Sequence, residues 1–221
     1  MRWLRSIGLS LVLLGLFGFS VIGQLEAGFR AYNQDRREHA QPPLAQRRAY
    51  LGSGHFISSL AENMESEFLQ MALFVSLTTW LYQKGSAESK KPPEEETEED
   101  RRQSALEDEY CAARRARHPI LWRIYENSLT LALLLFFVGF FLAHGYGAWM
   151  SLNEHRGWLG QGPLRFVEVF GESDFWFESF QNWQSEFFSI AILGAFSIFL
   201  RQKDSPQSKK MRDSHWKTGG G

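Results

Sequence analysis

The window Ser6–Leu25 runs for twenty residues without an Asp, Glu, Lys or Arg, and a second window, Ile124–Ala143, carries only Glu126 at its near edge. At about 1.5 Å per residue, such a segment matches the roughly 30 Å of a bilayer's hydrocarbon core once it is helical. A backbone in lipid has to satisfy its own hydrogen bonds, so these two stretches predict membrane-spanning helices. The averages alone, 44% apolar and 22% charged residues in 221, would fit an ordinary globular domain; the clumping is what excludes it. A single cysteine, Cys111, rules out a disulfide scaffold and cysteine-paired zinc modules, and a net charge of -1 argues against nucleic-acid binding.

The chain repeats itself. Residues Phe56–Lys91 match Phe175–Lys210 at a constant shift of 119, with 13 identities in 36 positions, among them Asn63 with Asn182, Ser66 with Ser185, Glu67 with Glu186, Phe68 with Phe187, Gln83 with Gln202 and Lys84 with Lys203. Upstream, a shift of 120 pairs Leu9 with Leu129, Asn33 with Asn153, Gln41 with Gln161 and Pro43 with Pro163. Each copy reads as an apolar helix, a polar loop, a second apolar helix and a basic tail. The expected fold is therefore all-α: four transmembrane helices, a tandem duplication of a two-helix unit, with short interfacial helices in the outer loops. Residues 1–91 form the first repeat, 92–118 a charged cytoplasmic linker, 119–210 the second repeat and 211–221 a disordered tail.

The second helix of each copy is the less obvious one. The apolar runs Phe68–Tyr82 and Phe187–Leu200 are too short to cross alone, and extending them to about Asn63 and Asn182 draws Glu67 and Glu186 into the outer part of the span. Arg and Lys sort the connectors: 17 lie in the termini and middle linker, including Arg2 and Arg5, against seven in the two other loops. The positive-inside rule then places both termini in the cytoplasm. Arg2 and Arg5 before an apolar run also resemble a signal peptide, but no A-x-A site closes the run, and its counterpart lies mid-chain.

The connectors differ in character. From Gly85 to Gln103 the composition is Ser, Pro, Lys and Glu, which predicts disorder, followed by a short surface helix over Ala105–Arg117. The tail after Asp204 is expected to be mobile. In the outer loops Pro42, Pro43 and Pro163 precede Leu44–Leu51 and Leu164–Phe170, read as short interfacial helices with proline in the first turn.

One constellation could carry chemistry. Asn63, Ser66, Glu67 and Gln70 fall at i, i+3, i+4, i+7, and Asn182, Ser185, Glu186 and Ser189 repeat the stripe. Polar stripes on membrane helices turn inward, so Glu67 and Glu186 could pair around a cation or a shared proton. The plainer reading lets each glutamate snorkel to water near the outer boundary. Ala72 with Ser76 and Ala191 with Ala195 form small-xxx-small pairs suited to close helix packing. His39, His55, His144 and His155 read as solvated loop residues, since none forms a close ligand pair in sequence; no metal site and no cofactor is expected. No nucleophile elbow, phosphate loop or zincin pattern is present.

The motif N-x-x-S-E-F followed by an apolar run and Leu-x-Gln-Lys-x-Ser, at Asn63–Ser86 and again at Asn182–Ser205, resembles a bacterial integral-membrane family known only as a domain of unknown function, as does Tyr125–Leu131. That resemblance implies a multi-pass protein of the bacterial inner membrane and brings no activity with it. The copies differ where Met64 and Glu65 face Trp183 and Gln184 in the alignment. The sequence thus points to a structural or interaction protein of the cell envelope rather than an enzyme, with a small cation or proton pathway as the alternative. Its expected partners are the lipid bilayer and a second copy or another envelope protein, and no nucleic acid.

Overall fold

The computed structural model describes residues 6–219, so Arg2 and Arg5, used above for orientation, lie outside the described residues. The protein is all-α, with no strand among the described residues. In chain order the elements are α1 (Gly8–Glu38), α2 (Arg47–Leu51), α3 (Gly54–Leu77), α4 (Glu98–Arg117), α5 (Pro119–Glu126), α6 (Ser128–Trp158), a 3-10 turn (Phe166–Gly171) and α7 (Ser173–Phe199).

Helices α1 and α6, each of 31 residues, are long and apolar enough to cross a membrane. Both outrun their apolar windows at the C-terminal side, each running on through a polar stretch that carries basic residues in the last turn, Arg36 and Arg37 in α1 and Arg156 in α6, where the helix dipole favours them. Their apolar side chains face outward: Leu9 and Phe19 are each 76% exposed and Leu135 74%. Helices α3 and α7 start well before Asn63 and Asn182, at Gly54 and Ser173, so the aromatic cluster Phe175–Trp183 is helical.

The chain divides into two compact units, and α3, α6 and α7 each contribute to both. The first unit comprises residues 1–63 and 140–177. Its core is Tyr32, Tyr50 and Phe56, with Leu25, Phe29, Leu44 and Leu60 against them. Tyr50 is fully buried, and Gly28 makes room for it: a Cβ there would overlap the Tyr50 hydroxyl. Burial pushes the Tyr50 phenol up to about 12, so it stays protonated and shares a 2.8 Å hydrogen bond with Nδ1 of His55. Elsewhere in the unit, α3 and α6 approach backbone to backbone. A Cβ on Gly54 would run into Ser151 N and Gly147 O, and one on Gly147 into Ser58 N. The pairs Gly54-xxx-Ser58 and Gly147-xxx-Ser151 are thus small-residue seams, packing that larger side chains would forbid.

The connectors after α1 and after α6 are built alike. After α1 the chain turns through Ala40 at φ 56°, with Gln41 N donating to Arg36 O and Ala40 N to Arg37 O. After α6 it turns through Gly160 at φ 67°, with Gln161 N donating to Arg156 O and Gly160 N to Gly157 O. These are Schellman ends, which satisfy the last orphan carbonyls of a helix. Beyond each turn an asparagine seizes the backbone: Asn33 accepts from Leu44 N at 2.6 Å and donates to Leu44 O at 3.1 Å, while Asn153 does the same to Leu164 at 2.7 and 3.1 Å. The arginine three residues on closes the loop in both, Arg36 donating to Pro42 O and Arg156 to Gly162 O. The expected interfacial helices shorten to α2 and the 3-10 turn, and the prolines lie upstream of them rather than in their first turns, because the asparagine clamps hold the intervening residues extended.

The second unit comprises residues 64–139 and 178–221. Helix α4 begins at Glu98, within the stretch expected to be disordered. Thr97 and Asp100 form a capping box there, and Lys91 approaches Asp100 at 2.7 Å. Those contacts hold the Asp100 carboxyl far below its ordinary range. At the turn into α5, Arg114 stacks over Tyr110 and Trp122, and Arg115 pairs with Glu126 at 2.8 Å. The turns after α3 and α7 again match: Ser89 Oγ accepts from Gln83 N, and Ser208 Oγ from Gln202 N, both at 2.8 Å. The tail folds over the first of these turns. Lys209 is buried there, its ammonium donating to the carbonyls of Gly85 and His215 at 2.6 Å, and Thr218 Oγ1 accepts from Gly85 N at 2.9 Å.

Candidate functional site

The repeated polar stripe proves to be locally bonded along much of its length. In the first unit, Asn63 is exposed and donates to Ser59 O at 2.8 Å. In the second, Asn182 donates to Glu178 O at 3.2 Å, Ser185 to Asn182 O at 2.8 Å and Ser189 to Glu186 O at 2.9 Å. Asn, Ser and Thr on helices bond back to preceding carbonyls in this way. Ser66 is buried, Gln70 is half-buried, Glu67 is exposed, and Glu186 is half-buried within Coulombic reach of Glu67.

The more deeply placed acid of the second unit is Glu65, which is fully buried. Trp183 donates its indole N–H to Glu65 Oε1 at 3.3 Å, and the Trp183 ring packs against Phe180 and Phe137. These are among the positions at which the two copies diverge. The alignment pairs Glu65 with Gln184 and Met64 with Trp183, so the bond between Glu65 and Trp183 exists only because the copies are unequal there. The departure in sequence is the signal for this bond, whereas the repeated stripe marks Glu67.

Of the four histidines read as solvated loop residues, His55, His144 and His155 sit on helices, and His39 caps the C-terminal end of α1. His144, in α6 of the first unit, is fully buried, stacks on Phe175 at 4.6 Å, and its Nε2 lies 3.9 Å from Glu62. Nearer the C-terminal ends of α1 and α6, Asp35, His39 and His155 come together. Asp35 Oδ1 lies 3.2 Å from His39 Nδ1, and Asp35 Oδ2 lies 3.9 Å from His155 Nε2. One ring nitrogen of each histidine and a carboxylate oxygen of Asp35 fall within 4.8 Å of one another. A dense shell surrounds them. Glu154 accepts from the Tyr32 hydroxyl at 2.5 Å and from Arg36, whose guanidinium lies over the Tyr32 and Trp158 rings, and the Trp158 ring also packs on both imidazoles. Sequence spacing hid this cluster, because His155 comes from the second copy. The shift of 120 could have revealed it, since that shift carries Asp35 onto His155.

A family model described as Domain of unknown function (DUF6766) matches residues 1–220. No curated protein and no solved structure matches the chain.

Proposed function

The chain belongs to the DUF6766 family, whose description names no activity, and we propose that it is a four-span protein of the bacterial inner membrane with a structural or interaction role in the cell envelope. The observation that carries this reading is the outward apolar surface of α1. None of its most apolar stretch is buried, and Leu9, Val12, Leu13, Leu14, Leu16 and Phe19 all stand exposed. Burying such surface is worth about 25 cal/mol per Å², and a lipid environment supplies that burial. Helices α3 and α7 are taken as the remaining spans, because each spans 24 or more residues and carries the apolar run that follows its motif. The excess of Arg and Lys in the middle linker and tail supports cytoplasmic termini.

Cysteine-accessibility mapping tests the topology. With Cys111 replaced by Ser, single cysteines at Ser104 and Ser214 should label only from the cytoplasmic side, and those at Gln46 and Gly162 only from the other. Labelling of Gln46 and Ser104 positions from the same side would refute four spans. A second reading, a cation or proton pathway, draws on the Coulombic reach between Glu67 and Glu186. It requires ion flux through reconstituted protein that Glu67→Gln with Glu186→Gln abolishes; absence of flux removes it.

A further inference from the structure

We propose that Asp35, His39 and His155 form a binding site for a single divalent transition-metal ion of the zinc type. Three potential ligand atoms, two imidazole nitrogens and one carboxylate oxygen, already fall within 4.8 Å of one another, and tetrahedral ligands at about 2.0–2.2 Å from a common ion stand roughly 3.3–3.6 Å apart, so the three have to close by no more than about 1.5 Å. Small rotations of partly exposed side chains supply the difference. The donor set selects the metal class: imidazole with carboxylate suits zinc, nickel or copper, whereas magnesium and calcium prefer all-oxygen shells.

The surroundings are those of a positioned site rather than a chance encounter of surface groups. Asp35 and His39 are four residues apart on one helical face, and His39 Nδ1 lies 3.0 Å from Asp35 O, a contact that orients the ring. Trp158 packs on the rings of both His39 and His155, at 5.3 and 4.6 Å. The two helix ends that deliver the ligands are tied to each other by Glu154, which takes Tyr32 and Arg36 from α1. Each end is then locked by its own asparagine clamp. Three protein ligands at a partly exposed site leave at least one coordination position for water or an outside ligand. The ligands lie more than two helical turns past the apolar window of α1, so an ion reaches them from water without crossing hydrocarbon.

The test uses the full chain, free of any polyhistidine tag, purified in detergent and stripped with chelator. Cobalt(II) is titrated and followed by its visible absorption, and zinc is then used to displace it. One equivalent of cobalt per chain, with bands of a nitrogen- and oxygen-ligated ion and displacement by zinc, is expected. His39→Ala, His155→Ala and Asp35→Asn should each weaken binding by at least about tenfold, and His118→Ala and His215→Ala should leave it unchanged. Helix content measured alongside identifies any variant that fails to fold, in which case His155→Gln, of similar volume, takes its place. The proposal is overturned by the absence of stoichiometric binding, or by affinity that survives His39→Ala with His155→Ala, which would leave an adventitious ion only.

Discussion

The connectors after α1 and after α6 carry out the same operations with partly different residues. In both, an arginine and an asparagine on the last turns of the helix hold the following chain, Arg36 and Asn33 in the first copy and Arg156 and Asn153 in the second. In both, a left-handed residue ends the helix, but it is Ala40 in one and Gly160 in the other. Downstream the likeness stops. The first connector runs into α2 and buries Tyr50, whereas the second makes a 3-10 turn and buries Val169, with Phe166 and Phe170 packed edge to face. The two connectors thus share the hydrogen-bonded frame, where each donor needs a specific acceptor, and differ in the apolar filling, because hydrophobic packing is tolerant as long as volume is kept.

That contrast can be broken most severely at the α3–α6 seam, whose small-residue pattern the other copy keeps on one helix only. The counterparts of Gly147 and Ser151 are Ala27 and Ala31, and those of Gly54 and Ser58 are Ser173 and Phe177. Gly147→Val should cost about 3 kcal/mol or more, because its side chain meets backbone and not a flexible neighbour, and should lower the thermal midpoint in detergent sharply. Ala27→Val should cost much less in the same measurement. The clamps should respond comparably: Asn33→Ala strands the Leu44 N–H and C=O, and Asn153→Ala strands the Leu164 N–H while the Trp149 indole still donates to the Leu164 carbonyl at 2.8 Å, for about 1–3 kcal/mol apiece. A marked inequality would mean that the two clamps are alike in geometry but not in energy.

The helix ends sharpen the comparison with opposite signs. Ala40→Gly should stabilise by about 1 kcal/mol, since a Cβ is penalised in the left-handed region, and Gly160→Ala should destabilise by about as much. Denaturant midpoints of the two variants measure both. The smallest effect belongs to the start of α4. Lys91 and Thr97 hold the Asp100 carboxyl below its unfolded value, so the contribution is fully present above about pH 4 and fades as pH falls further. The protection factors of the Asp100–Arg102 amides, taken against the intrinsic exchange rate at each pH, should therefore fall in acid while those in α6 do not, and Thr97→Ala should make that start fray at neutral pH too.

The helices with charge-free windows were legible from composition, because an uncharged run of that length has few alternatives to a helix. The ends were less so. The acidic run before α4 suggested a solvated linker, although Thr97 and Asp100 spelled a capping box three residues apart. Prolines suggested helix starts, but the asparagine clamps, made across eleven residues, set those positions instead. Among the candidate site residues, the stripe through Glu67 and Glu186 was visible as a repeat, and its members Asn63, Asn182, Ser185 and Ser189 bond their own helices. Glu65, His144 and the Asp35–His39–His155 cluster depend on contacts between distant segments, which periodicity within one helix does not encode. The seam at Gly54 and Gly147 was written in two small-xxx-small pairs, but the same pattern at Ala72–Ser76 and Ala191–Ala195 is no weaker on paper, and only tertiary contact separates them.

The central claim is that lipid, and not protein, covers the exposed apolar faces of α1 and α6. Extraction of cell membranes with alkaline carbonate addresses it directly, because peripheral proteins are released while chains threaded through hydrocarbon remain. The account predicts that the full-length protein stays with the sedimented vesicles at high pH and is freed only by detergent. Recovery of the chain in the carbonate supernatant would contradict it.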